Sequence, residues 1–212
     1  MSDHDDFAFE PVPGLPATLP MGEEMLWQGR PATLALAREA FGLNWVGAYM
    51  ALIVIWRAGT GLAEGGVPMA LAYGLPYLAL AAAAVMVVLL LAWAQARGTV
   101  YTITTSRVVM RVGASLSVTF NIPFTQVAAA NLDLRKRGTG TIALQTKGDV
   151  RLAYLALWPH ARPWHLKHPQ PALRCIPDAA TVARIVAEAA ETRLAMPVVT
   201  RTAPASGAVA AE

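Results

Sequence analysis

The stretch AYGLPYLALAAAAVMVVLLLAWAQA, residues 72–96, decides the fold of this chain. It belongs to a run of 32 residues, 65–96, that contains no Asp, Glu, Lys or Arg. A hydrocarbon core of roughly 30 Å is crossed by about 20 apolar helical residues, so this run is long enough to span a membrane. From residue 78 to residue 93 it is apolar on every side, whereas a helix on a soluble core shows an apolar stripe. The sequence therefore predicts a membrane-spanning helix over about residues 69–96.

A second apolar stretch precedes this run, over about residues 40–63. Seventeen uncharged residues separate Glu39 from Arg57, which is short for a bilayer, but the long Arg57 side chain can reach the far interface. The connection EGGVP, residues 64–68, has the composition of a turn. The two spans are therefore predicted to form a transmembrane helical hairpin within a membrane anchor of residues 32–97.

The composition of the whole chain agrees with a membrane anchor joined to a second domain. Of its 212 residues, 55% are hydrophobic and 15% are charged, whereas soluble domains carry about 25% charged residues. A buried helix of a soluble protein is the rival interpretation, but a chain this short offers little to surround it. The formal net charge of +3 gives no reason to expect nucleic acid as a partner.

Basic residues flank the anchor on both sides and predict its orientation. They precede the first span and follow the second: Arg30, Arg38, Arg97, Arg107 and Arg111. Because cytoplasmic segments carry the excess of Lys and Arg, both termini are predicted to be cytoplasmic in a multi-pass protein of the cytoplasmic (inner or intracytoplasmic) membrane. Arg57, near the connecting turn, opposes this bias.

After the anchor the pattern alternates with a period of two residues. Segments 99–104, 107–112 and 115–122 are rich in Val, Ile and Thr and predict antiparallel strands. Segment 139–155 predicts a further β-hairpin with its tip at residues 147–149. An amphipathic helix follows, with one apolar face formed by Ala179, Val182, Ile185, Val186 and Ala189.

The predicted fold is therefore an α+β membrane protein in which the helical hairpin is followed by an antiparallel β-sandwich or small barrel. This domain is predicted to occupy residues 98–195 and to be closed by the C-terminal amphipathic helix. Residues 1–31 are predicted to form an acidic, proline-rich segment, and residues 196–212 a disordered tail.

Two resemblances to known families follow from particular motifs. The segment YTITTSRVVMRVGASLSVTFNIPFTQV, residues 101–127, has a Tyr-x-x-Thr-x-x-Arg start, a turn glycine and an Ile-Pro pair. It resembles the bacterial PH domains of the YdbS type that follow membrane spans. This resemblance implies a PH-like fold and a role as a scaffold or membrane-side adaptor.

Further blocks resemble the PuhB family of photosynthetic-complex assembly proteins of purple bacteria. They are HDDFAFEPVPGLP (4–16), LWQGRP (26–31), LWPHARPWHL (157–166) and IPDAA (176–180). This resemblance implies an assembly factor whose partners are photosynthetic reaction-centre subunits. Some descriptions of the family count three membrane segments, whereas residues 152–158 are too short for a third.

The residue types of catalytic and metal sites do not occur in a suitable pattern. The single cysteine, Cys175, follows His165 and His168 but lacks a third orienting group. These histidines and His160 lie among prolines, without the helical spacing of metal ligands. Glycine-rich phosphate loops are missing as well. We therefore expect a protein that is not an enzyme and that holds no cofactor.

A basic turn is the first candidate interaction site. Arg135, Lys136 and Arg137 follow each other at the predicted end of a strand. Facing an anionic leaflet, each would gain about 1 kcal/mol, which makes membrane lipid a candidate partner. The rival interpretation is a solvated turn that protects a sheet edge.

A proline-rich loop is the second candidate. Trp158, His160, Arg162 and Trp164 lie on it, and aromatic side chains held by prolines are suited to anchor a protein partner. The rival interpretation is that both tryptophans cover the β core.

Small residues in the second span form a third candidate surface. Ala81, Ala82, Ala83 and Ala84 allow close helix approach, and so a homodimer or packing with the helices of a client. The resemblance thus implies an assembly factor that binds its clients through the PH-like domain and the membrane helices. The alternative function is a lipid-binding, membrane-surface sensor or adaptor.

Overall fold

The structure, a computed structural model, describes residues 14–15, 17–114, 117–135, 138–148 and 153–195. Several predictions from the sequence lie outside these residues. They concern most of the acidic N-terminal segment, Lys136 and Arg137 of the basic turn, and the C-terminal tail from residue 196 onwards.

The described chain contains helices and strands in a mixed order. They are β1 (Met25–Gly29), α1 (Thr33–Glu39), α2 (Leu43–Gly98), β2 (Val100–Thr104), β3 (Arg107–Val112), β4 (Val118–Pro123), a 3-10 helix (Phe124–Gln126), β5 (Val127–Leu134), β6 (Gly140–Thr146), α3 (Tyr154–Leu157), β7 (Ala172–Ile176) and α4 (Ala179–Ala195).

Helix α2 is broken near its middle and folds back on itself. Gly65 and Gly66 have non-helical backbone angles, and the φ of 71° at Gly66 is in the left-handed region that favours glycine. The two halves approach closely, since a Cβ on Gly61 would lie 2.5 Å from the backbone oxygen of Met69. Two predominantly apolar segments joined by a Gly-Gly break therefore form a tight helical hairpin, termed the apolar hairpin below.

The apolar hairpin leaves most of its apolar surface exposed. Within the described residues it is the one helix long and apolar enough to cross a membrane, and only 6% of its most apolar stretch is buried. Trp45, Leu78 and Leu90 are among its exposed side chains. Large exposed apolar patches mark sites of contact with a membrane or with another protein, because they are costly in water.

The strands form two antiparallel sheets, ordered β1-β2-β3-β4 and β5-β6-β7. Strand β1 precedes the apolar hairpin but pairs with β2, which follows it, with Trp27 opposite Ile103 and Gly29 opposite Tyr101. The hairpin is therefore an insertion between two neighbouring strands of one sheet. The prediction placed Met25–Gly29 in a segment before the domain, whereas the structure includes it in the sheet.

One apolar core joins both sheets to α4. Tyr101 and Ile103 of β2, Leu144 of β6 and Leu173 of β7 all belong to it. The face of α4 that is buried against it consists of Ala179, Val182, Val186 and Ala189. The α+β class, the antiparallel sheets and the amphipathic C-terminal helix are confirmed, whereas the described strands do not close into a barrel.

The predicted hairpin over residues 139–155 is wrong. Strand β6 pairs with β5 on one side and with β7 on the other, where Ile142 lies opposite Leu173. The chain that follows β6 contains the short helix α3, and residues 149–152 lie outside the described part. The sequence showed no clear period in β7, because this strand has only five residues and follows a proline-rich loop.

Candidate interaction site

The loop between α3 and β7, residues 158–171, lies where the apolar hairpin joins the sheets. It is termed the proline loop. The ring of Trp158 packs edge-on against Phe41, just before the hairpin begins, with 5.4 Å between ring centroids. His160 lies 3.1 Å from the hydroxyl of Thr99, the residue directly after the hairpin. The base of the proline loop thus contacts both ends of the hairpin.

A buried hydrogen-bond cluster holds this junction together. The Tyr101 hydroxyl lies 2.6 Å from Nδ1 of His160 and accepts the backbone N–H of Arg174 at 3.2 Å. Because that hydroxyl accepts from Arg174, it is free to donate its own proton to Nδ1. Nε2–H of His160 then donates to Thr99. A neutral imidazole thus pairs with both hydroxyls, those of Tyr101 and Thr99.

The environment of His160 keeps its ring neutral. The side chain is fully buried, and burial lowers its pKa to about 3, with a further contribution from the Arg174 charge. Burial also raises the pKa of the Tyr101 hydroxyl. The cluster therefore has no group that titrates between pH 5 and 9, which suits a structural connection.

The guanidinium of Arg174 ties the proline loop to helix α1. It donates to the backbone oxygen of Pro159 at 2.9 Å and to that of Glu39, at the end of α1, at 3.1 Å. Its neighbour Cys175 is buried beside Leu36 of α1, and burial raises the pKa of the thiol to about 12. Cys175 is therefore a protonated packing residue.

The structure separates the four residues predicted to bind a partner. His160 is buried, so the prediction that it faces a partner is wrong. Arg162 bonds across the loop, from Nη1 to the Gln170 side chain at 3.0 Å. Trp158 is 44% exposed and packs against Phe41, which lies beside the hairpin and outside the β core. Trp164, at 94% exposure, projects from the loop.

Arg135, the one residue of the basic turn that the structure describes, lies beside helix α1. The Arg135 side chain forms ion pairs with Asp133 at 2.9 Å and with Glu39 at 3.6 Å. These two carboxylates offset its charge and weaken its attraction to anionic lipid. The membrane-surface role of Arg135, Lys136 and Arg137 stays a prediction, as does the sensor function that depends on it.

The alanine run of the second hairpin segment faces the first segment in part. Ala81 and Ala82 line a groove of about 380 Å³, together with Gly47, Ala51 and Val54 of the first segment. Part of the small-residue surface thus serves packing within the hairpin. Contact of these alanines with a second copy or with a client stays a prediction.

Sequence reasoning missed Thr99, Tyr101 and Arg174. The cluster joins residues separated by 59 to 73 positions, so no local spacing could indicate it. The one usable signal was a Tyr at an inward position of a strand, because a buried phenol needs a hydrogen-bond partner. In the described ranges, no three His, Cys, Asp or Glu residues lie close enough to hold a metal.

Comparisons with known proteins add a family and a relative. A model of the bacterial PH domain family matches residues 40–190, which include the apolar hairpin as well as most of the sheets. A protein of Rhodobacter capsulatus, named as an uncharacterized 23.7 kDa protein in the puhA 5' region, is 51% identical over 213 residues. The match covers 100% of this chain and 99% of that protein. No solved structure matches the chain.

Proposed function

This chain belongs to the bacterial PH domain family, and we propose that it is a membrane-anchored, non-enzymatic assembly factor for the photosynthetic reaction centre of purple bacteria. In this proposal the apolar hairpin spans the cytoplasmic membrane twice, and both termini are cytoplasmic. Reaction-centre subunits bind to the hairpin and to the PH-like domain below it.

The observation that carries the proposal is the end-to-end similarity to the Rhodobacter capsulatus protein. At 51% identity over 100% of this chain, the alignment includes the residues that form the hairpin and the sheets as well as both terminal segments. The name of that protein places its gene beside puhA, and this neighbourhood points to photosynthesis. The sequence blocks that resemble the PuhB family support the same process.

The contact between the proline loop and the hairpin supports an adaptor that binds a client at two surfaces, the hairpin and the domain. The hairpin is inserted between β1 and β2, and the proline loop contacts its two ends at Phe41 and Thr99. A client helix packed on the hairpin would therefore be held at a constant distance from the domain. Such positioning needs no catalytic group, and the neutral His160 and protonated Cys175 suit a structural role.

Deletion of the gene in a purple bacterium that carries it tests the proposal. We expect reaction-centre absorbance of the membranes to fall while transcripts of the subunits stay unchanged, because the factor acts after synthesis. Complementation with the full chain should restore the absorbance. A matched variant in which a short glycine linker replaces residues 43–97 should not restore it, since the anchor is lost. Unchanged reaction-centre levels in the deletion strain would refute the proposal.

A further inference from the structure

We propose that the tip of the proline loop, Trp164 to Lys167, is a second membrane contact that inserts into the lipid interface around the apolar hairpin. This inference rests on the membrane anchoring in the proposed function. It assigns to lipid a surface that the sequence had assigned to a protein partner.

The tip exposes two large apolar side chains. Trp164 is almost fully exposed, and Leu166 is 65% exposed. The backbone of Trp164 has a φ of 65°, in the left-handed region that is unfavourable for an aromatic residue. Sparsely populated backbone conformations of this kind cluster at functional sites.

The loop is braced so that the tip projects from its base. Ala161 and Pro171 form an isolated antiparallel bridge, and the backbone N–H of Arg162 donates to the oxygen of Gln170 at 2.9 Å. The tip lies beyond these bonds. Its own turn is held by His165, whose Nδ1 lies 2.8 Å from the backbone oxygen of Pro163.

The base of the loop limits the distance between the tip and the ends of the hairpin. Trp158 and His160 contact residues 41 and 99, where the chain enters and leaves the hairpin. Trp164 follows His160 by four residues, which span at most about 14 Å when extended. The last turns of α2 also combine a tryptophan with a basic residue, as Trp164 and Lys167 do in the sequence of the tip. There the Arg97 guanidinium lies 5.5 Å from the Trp93 ring centroid. The tip is therefore within reach of the level at which the hairpin would enter the bilayer.

The chemistry of the tip fits lipid better than protein. Residues 153–177 contain no Asp or Glu, while Lys167, His165 and His168 surround the apolar pair. Trp beside basic residues is typical of the headgroup level of an anionic membrane. One Trp and one Leu flanked by prolines form a surface much smaller than the roughly 800 Å² per partner of a stable protein interface.

A spin label at Leu166→Cys in the full-length protein, reconstituted in phosphatidylcholine–phosphatidylglycerol nanodiscs, tests the inference. Cys175 is buried, so the unmodified chain should take up no label and serves as the blank. Leu78→Cys, on the exposed face of the hairpin, reports the hydrocarbon. Thr125→Cys is the control in water, because it follows β4 at the end of the sheet remote from the hairpin. The measured quantity is the ratio of collisions with oxygen to collisions with a water-soluble nickel complex.

We expect this ratio at Leu166 to lie severalfold above that at Thr125 and below that at Leu78. The additional change Trp164→Ser should return it to the Thr125 value, whereas neutral nanodiscs should reduce it in part. A ratio at Leu166 equal to that at Thr125, with Leu78 in hydrocarbon, overturns the inference and leaves the anchor intact. If the label at Leu166 is shielded from the nickel complex in native membranes but not in nanodiscs, the tip binds a protein partner and the inference is overturned as well. Leu78 outside hydrocarbon overturns the anchor and the inference together.

Discussion

Replacing Tyr101 by Phe should loosen the connection between the apolar hairpin and the proline loop. The ring would keep its place in the apolar core, because the substitution removes only the hydroxyl oxygen. That oxygen lies 2.6 Å from Nδ1 of His160 and 3.2 Å from the backbone nitrogen of Arg174. The variant therefore isolates the polar part of the junction from its packing.

The expected loss follows from the two groups that Tyr101→Phe leaves without a partner. Each unsatisfied buried donor or acceptor costs about 1–3 kcal/mol, so the free energy of unfolding should fall by roughly 2–6 kcal/mol. His160 cannot compensate by taking up a proton at neutral pH, because burial lowers its pKa to about 3.

Cys175 offers a single-site assay for this loss. Its thiol is buried next to Arg174, and a maleimide can react with it only after the domain opens. Labelling of the full-length protein in detergent or nanodiscs therefore reports the fraction of open molecules. A loss of 2 kcal/mol raises this fraction by about a factor of 30.

Tyr154→Phe is the matched control, since Tyr154 lies in α3 and is only half-buried. It should change the labelling little, because the hydroxyl of a half-buried tyrosine can exchange a lost bond for water. If Tyr101→Phe and Tyr154→Phe agree within about 0.5 kcal/mol, the hydrogen-bond cluster does not stabilise the junction and the reasoning is refuted.

Three further predictions concern other contacts. In acid, His160 binds a proton readily only after unfolding, so stability should be complete above about pH 6.5 and decline towards pH 3. The decline in unfolding free energy amounts to about 2 kcal/mol at pH 5. Thermal melts of the unmodified protein and of His160→Gln, which keeps a donor and an acceptor, at each pH should show it as a loss present only in the unmodified protein. Glu23 accepts both Nε–H and Nη2–H of Arg107, at 2.8 and 3.0 Å, so Glu23→Gln should lower the unfolding free energy by about 1–3 kcal/mol, whereas the exposed Glu24→Gln should not. Gly61→Ala should force the hairpin segments apart and lower the stability of the protein by about 1–3 kcal/mol, measured by a thermal melt in micelles. Gly59→Ala is the control and should be neutral, because the space around Gly59 is open. Equal melting temperatures of the two variants would contradict the close packing.

Local patterns were sufficient for the elements whose cause is local. The charge-free run before Arg97 and the Gly-Gly break describe a hairpin without reference to any other part of the chain. The alternation and the Val, Ile and Thr content of residues 100–112 likewise predicted β2 and β3, although both strands are buried on both faces in the folded chain. The buried face of α4 follows from its helical period.

The pairing of elements across the hairpin could not be predicted. β1 is five residues long and pairs with β2 on the far side of a 56-residue helical insertion, so its place in the sheet depends on a contact that no local period encodes. The partner of β6 was misassigned for the same reason. The prediction paired it with the segment that follows it directly in residues 139–155, whereas in the folded chain β6 pairs with β7.

The sequence by itself predicts an apolar hairpin, antiparallel strands and a closing amphipathic helix. Each of these elements depends on the hydropathy and the period of the residues within its own segment. Only the tertiary structure decided the roles of the residues in the proline loop. Trp158, His160 and Trp164 are close in sequence, yet their roles differ. Trp158 packs against Phe41, His160 joins the buried cluster, and Trp164 projects outwards. Burial and hydrogen bonding depend on which distant residues surround a side chain, and Phe41, Thr99 and Tyr101 reach this loop only when the chain has folded.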